Sequence, residues 1–231
     1  SISDKFKIDV QNGLGLYIQN GYNGTLPTVN LTGNESKAYV LENLNKEFEV
    51  NNINLDKTNQ IYIYSKKGTG KGIKASTLNI NGSDNYGIYN LADQNITAKD
   101  LNISGSTSFG IYSTGKGEIN VDKITVTGEN SAGVYSKNGT ITQTGEIISQ
   151  GLGIYSEDGS VTLNGSKISL DNSNGIGVKA KNSSETISNA MTISEGIEGA
   201  TGIYSEGTGD ITFKKNLVVN KDIIGVYKNG K

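Results

Sequence analysis

The sequence predicts an all-β solenoid: a three-sided parallel β-helix of about ten coils, each 20–25 residues long. Three observations predict it. A phrase, Gly-Ile/Val-Tyr, recurs at Gly87-Ile88-Tyr89, Gly110-Ile111-Tyr112, Gly133-Val134-Tyr135, Gly153-Ile154-Tyr155, Gly202-Ile203-Tyr204 and Gly225-Val226-Tyr227. Looser copies stand at Gly15-Leu16-Tyr17, Ala38-Tyr39, Ile63-Tyr64 and Gly177-Val178-Lys179, and the steps at the Tyr position are 22, 25, 25, 23, 23, 20, 24, 25 and 23 residues. Between phrases lie runs of three to five residues in which apolar and polar residues alternate, bounded by Gly, Asn, Asp and Ser. These runs are too short for helices, and neither a sustained helical stripe, a hexapeptide period nor a heptad is present.

In chain order, the first two coils (within residues 1–59) are the less regular. Pro27 falls where a strand is expected, and Lys46-Glu47-Phe48-Glu49-Val50 has no evident counterpart elsewhere. Regular coils run from residue 60 to 231. The coil from Gly110 to Ala132 is the template: the phrase, a turn at Thr114–Gly117, a strand at Ile119–Val121, a bend at Asp122-Lys123, a strand at Ile124–Val126, and a return through Gly128–Ser131. Val161-Thr162-Leu163 with Ile168-Ser169-Leu170 repeats the plan, as does Ile211-Thr212-Phe213 with Leu217-Val218-Val219. Stacked at about 4.8 Å per coil, ten coils make a rod about 45 Å long. The whole chain reads as one such segment, cut from something longer.

The aligned phrases predict which columns face inward. Residues before Gly (Leu14, Ser36, Ile61, Tyr86, Phe109, Ala132, Leu152, Ile176, Thr201, Ile224), the aliphatic residue after it, and the Ser or Asn after Tyr are assigned to the interior. Gly and Tyr are assigned to the outer face, because Lys37 and Lys179 take their places in two coils and Lys is rarely buried unpaired. Nine of the twelve Tyr residues then form one exposed ladder, Tyr17 and Tyr39 followed by the candidate binding residues Tyr64, Tyr89, Tyr112, Tyr135, Tyr155, Tyr204 and Tyr227. Such a ladder either covers its own strand and stacks on neighbouring rungs, or offers aromatic area and hydroxyls to a partner.

Composition narrows the chemistry. Cys and His are absent, which removes disulfides, thiolate and histidine catalysis and the usual zinc sites. All 21 basic residues are Lys and the net charge is −2, so neither guanidinium readout nor a strong field points to nucleic acid. No apolar run is long enough to span a bilayer, and Ser1–Lys5 does not read as a signal peptide. Acids such as Asp93, Glu118, Asp122, Asp158 and Asp171 fall at different coil positions, as solvated turn residues do. Asp171–Gly175 begins like a calcium loop but has Asn182 at its twelfth position, and Gly68–Gly72 lacks the spacing of a phosphate loop. No catalytic residue, metal or cofactor is expected.

The Gly-Ile/Val-Tyr-Ser phrase, with its Ile-Thr strands and Asn-Gly turns, resembles the passenger repeats of bacterial autotransporter (type V secreted) adhesins. The Lys-, Asn- and Ile-rich, Arg-free usage is most similar to large fusobacterial outer-membrane autotransporters. The resemblance covers residues 60–231 well and the first coils loosely. It implies a right-handed β-helix, export through a C-terminal β-barrel, display on the cell surface and attachment to a host or bacterial cell-surface protein or glycan. It implies neither nucleic-acid binding nor membrane insertion of this segment. Uncapped coils also suggest end-to-end contacts. A passive stalk holding a distal binding domain is the alternative, since long insertions are absent; a carbohydrate-active enzyme is a distant third.

Overall fold

A computed structural model describes residues 6–20, 26–194, 198–220 and 222–230. The readings placed on Ser1–Lys5 and Lys231 lie outside the described residues. Among those described there is no helix; parallel strands stack as a β-helix of about nine turns. The first face, here sheet A, has ten strands: Gly13–Gln19, Ser36–Glu42, Ile61–Ser65, Tyr86–Asn90, Phe109–Ser113, Ala132–Lys137, Leu152–Glu157, Ile176–Lys181, Thr201–Glu206 and Ile224–Asn229. Each pairs with its equivalent one coil away, so the repeated phrase is also the pairing register.

The other two faces differ from the three-strand plan in a graded way. In four coils they are one bent strand, at Phe48–Leu55, Ile73–Ile80, Ile96–Ile103 and Glu118–Val126. Their corner is two outward residues, Asp122-Lys123 in the last of them, and hydrogen bonding continues through it. In the next coil three residues (Thr144, Gly145, Glu146) separate the inward Gln143 from Ile147, and the strand splits. Four residues then separate Leu163 from Ile168, so the corner stays open. Phe48-Glu49-Val50 does have a counterpart: it pairs with Ile73-Lys74-Ala75, which makes the stack regular from an earlier point than residue 60.

The interior is built of aliphatic columns. Ile88, Ile111, Val134, Ile154, Val178 and Ile203 are fully buried, as are Ile96, Ile119, Ile141 and Val161 on the second face. The Ser or Asn after Tyr also points inward, as expected: Ser65, Asn90, Ser113, Ser136, Ser156 and Ser205 are buried.

Two other columns are corrected. Gly points inward: a Cβ on Gly133 would lie 2.4 Å from Ile124 Cγ2 and 2.7 Å from the Gly153 carbonyl oxygen, and Gly110, Gly153, Gly177 and Gly202 are equally crowded. The residue before Gly points outward, so Tyr86, Phe109, Leu152 and Ile176 are half-exposed. The phrase is therefore not a plain alternating strand. Gly and the following aliphatic residue both face the core, because the third-face side chains press against the backbone there and leave no room for a Cβ.

A one-residue register correction follows in the second coil. Tyr39 pairs with Leu16 and Ile63 and is buried; Val40 occupies the Tyr column, and Lys37 the outward column before Gly. Tyr39 packs edge-on against Phe48 and Tyr62, at 5.1 and 5.5 Å between ring centroids. Its hydroxyl donates to the Pro27 carbonyl at 2.7 Å, and that of Tyr62 donates to Val29 at 3.2 Å. This aromatic cluster fills the N-terminal coils, with the buried Tyr62 standing at the position that Gly87 takes in the next coil.

Candidate contact face

Sheet A presents three outward columns side by side. The first is the residue before Gly, the second is Tyr, and the third, two residues after Tyr, is charged from Lys137 to Glu206. The seven candidate tyrosines all lie in the second column and all point outward. Their rings stack face to face where the coil spacing is uniform: Tyr64 on Tyr89 at 5.5 Å, Tyr89 on Tyr112 at 4.8 Å, Tyr112 on Tyr135 at 4.6 Å and Tyr204 on Tyr227 at 5.2 Å. Strand spacing sets these distances, so in-register pairing produces the ladder.

Tyr86 and Phe109 of the first column stack on each other at 5.3 Å and meet Tyr89 and Tyr112 edge-on. Leu152 and Ile176 extend this half-exposed apolar column beyond Ala132, which is itself buried. Assigning them to the interior hid this column. Its chemistry carries the signal, since one column mixing Thr201 with bulky Phe109 and Tyr86 suits a surface better than a uniform core, and pairing adds Lys37 to it.

The third column carries Lys137, Glu157, Lys181 and Glu206 in alternating sign. Glu157 accepts from Lys181 Nζ and from Tyr135 Oη, both at 3.1 Å, with Lys137 Nζ at 3.9 Å. The hydrogen bond from Lys181 holds the Glu157 carboxyl below its ordinary range, and Glu157 in turn raises Lys181. Burial raises the Tyr135 hydroxyl, and its bond to Glu157 adds to the effect; Tyr155 is likewise raised by burial. Where Lys179 replaces Tyr, its Nζ lies over the rings of Tyr155 and Tyr204 at 5.3 and 5.4 Å, bridging the gap by cation–π contact. At the N-terminal end Tyr17 donates to Glu42, which also pairs with Lys66 at 3.3 Å.

One irregularity interrupts this face. The corner leading into sheet A has five residues in most coils: 56–60, 81–85, 104–108, 127–131 and 171–175. Between Ser149 and Leu152 it has two, Gln150 and Gly151, which accounts for the single 20-residue step in the sequence. A buried ladder steps along the longer corners: Gln60 N donates to Asn85 Oδ1, Asn85 N to Ser108 Oγ, and Ser108 N to Ser131 Oγ. It ends at Ser131, beneath the short corner. Above Gln150-Gly151 opens a notch of 730 Å3, walled by Glu129-Asn130 on one side and Asn172 and Asn174 on the other, and floored toward sheet A by Leu152, Tyr135 and Tyr155. There the ladder turns: Tyr135 and Tyr155 meet edge-on, at 78° and 5.2 Å.

Among the described residues no three His, Cys, Asp or Glu residues converge to hold a metal ion, and no helix is long and apolar enough to cross a membrane. Comparisons with protein-family models, curated proteins and solved structures give no match.

Proposed function

We propose that this chain is part of a surface-displayed β-helical adhesin that meets a protein or glycan of a host or partner cell through sheet A. One observation carries the reading: the outward columns around Phe109, Tyr112, Tyr135, Leu152 and Tyr155 form an aromatic and aliphatic stripe that none of the described residues covers fully. A stripe of this kind is the composition of a contact surface, because Tyr brings apolar area and a hydroxyl at low entropic cost. Display at the cell surface by type V secretion belongs to the same proposal and rests on the resemblance of the repeats.

The test is attachment of the purified chain to cells, glycans and matrix proteins, with Tyr112, Tyr135 and Tyr155 changed together to Ser. Binding is expected to fall at least tenfold while the β-sheet spectrum persists. A lower melting temperature with attachment intact would limit the ladder to a structural role. The even stacking of coils also favours a spacer; if the unaltered chain binds nothing, that second reading stands.

A further inference from the structure

We propose that the notch above Gln150-Gly151 is the ligand site of this face and takes an uncharged oligosaccharide lying across the rod. The inference rests on the contact-surface reading and specifies its ligand. The notch exists because one corner is three residues shorter than its neighbours on either side. Its walls stand two coils apart, about 9.6 Å between backbone centres. Its volume of 730 Å3 falls within the range of roughly 300–1,000 Å3 common to small-ligand sites.

Three features select the ligand class. No Lys lines the notch, so phosphate, sulfate or a carboxylate sugar finds no cation there. The side chains of Asn130, Gln150 and Asn174 make no hydrogen bond among the described residues, and each amide carries both a donor and an acceptor. Vicinal sugar hydroxyls, which also donate and accept, match that set. Beside the amides, Tyr135 and Tyr155 supply aromatic area for the apolar face of a pyranose.

A peptide fits less well. The floor's backbone groups are already used: Gln150 N donates to Val126 O at 2.8 Å, Leu152 N to Ser131 O at 3.1 Å, and Ile176 N to Gly151 O at 2.8 Å. No strand edge remains there for an extended peptide to extend.

The test titrates the 231-residue chain with neutral hexose and N-acetylhexosamine trisaccharides and their sialylated forms, by calorimetry and saturation-transfer NMR. Saturable binding of a neutral trisaccharide is expected. Inserting Gly-Glu-Asn between Gln150 and Gly151, which restores the five-residue corner, should abolish it. Should the insertion misfold, Gln150→Ala with Asn174→Ala, both at surface corners, should weaken binding at least tenfold without moving the melting temperature. Cell attachment without any neutral saccharide binding would overturn the notch proposal and leave the adhesive reading in place. Saccharide binding that survives both variants, or that requires sialic acid, would also overturn it. Failure to bind cells, proteins and saccharides alike would remove both readings.

Discussion

At the scale of single residues, Glu185 is the one that breaks the rules of this core. It takes the aliphatic column between Val161 and Ile211, is fully buried, and both carboxyl oxygens lack a hydrogen-bond partner. Burial pushes its carboxyl from 4.5 up to about 7, and the Lys228 charge offsets only part of this. The raised value fixes the sign of the pH dependence. Below the unfolded value both states are protonated and Glu185 carries no ionisation penalty. As pH rises from about 4.5 to about 7 the unfolded chain ionises first, and stability falls by ~3 kcal/mol in total; above that the loss is constant. Glu185→Gln keeps the shape of the protonated acid and removes the titration. It should therefore melt higher than the parent at pH 8 and nearly with it at pH 4, measured by circular dichroism. A gap independent of pH would mean that the carboxyl is not desolvated.

At the scale of the strand, Gly in the repeated phrase is a packing residue. Gly133→Ala places a methyl group 2.4 Å from Ile124 Cγ2 and 2.7 Å from a backbone oxygen that cannot retreat without breaking the Ala132–Leu152 pairing. A cost of about 1–3 kcal/mol is expected from such overpacking, read as a lower denaturation midpoint. Ala at that position with an unchanged midpoint would place Gly on the outer face after all. The same strand shows what was legible beforehand. The period, the three faces and the outward Tyr column could be read, because corner residues punctuate every coil and Lys179 marks the solvent side. The parity of Gly could not, since strict alternation has no term for two adjacent inward residues. Tyr39 shares the identity of the ladder residues but not their column; coil length favours Val40, one residue on, which keeps the register. The notch was half legible: the 20-residue step announced a shortening, but only pairing shows which corner lost it.

At the scale of the whole rod, stability belongs to contacts between neighbouring coils, and the two ends are unlike. The N-terminal coils are filled by the Tyr39–Phe48–Tyr62 cluster, tied to Pro27 and Val29. Among the described residues the C-terminal coils hold no such buried aromatic cluster. Large apolar side chains are exposed at both ends, Phe6 and Leu14 at 58% and 47% and Val218 and Ile224 at 55% and 43%, but beneath the C-terminal coil lies the buried carboxyl of Glu185. A stack held by nearest-neighbour terms frays from its weaker end while its middle stays closed. Amide exchange is therefore expected to be slowest in Phe109–Ser113 and Ala132–Lys137 and fastest in Ile211–Phe213, Leu217–Val219 and Ile224–Asn229. The strand Gly13–Gln19 should fall between these limits. If the Glu185 carboxylate drives part of this gradient, exchange beyond Ser184–Ile187, corrected for the intrinsic rate at each pH, should speed up between pH 5 and pH 8. Glu185→Gln should flatten that pH response without changing protection at Phe109–Ser113. Uniform protection along the rod would instead show the coils opening as one unit, and the nearest-neighbour account of the fold would fail.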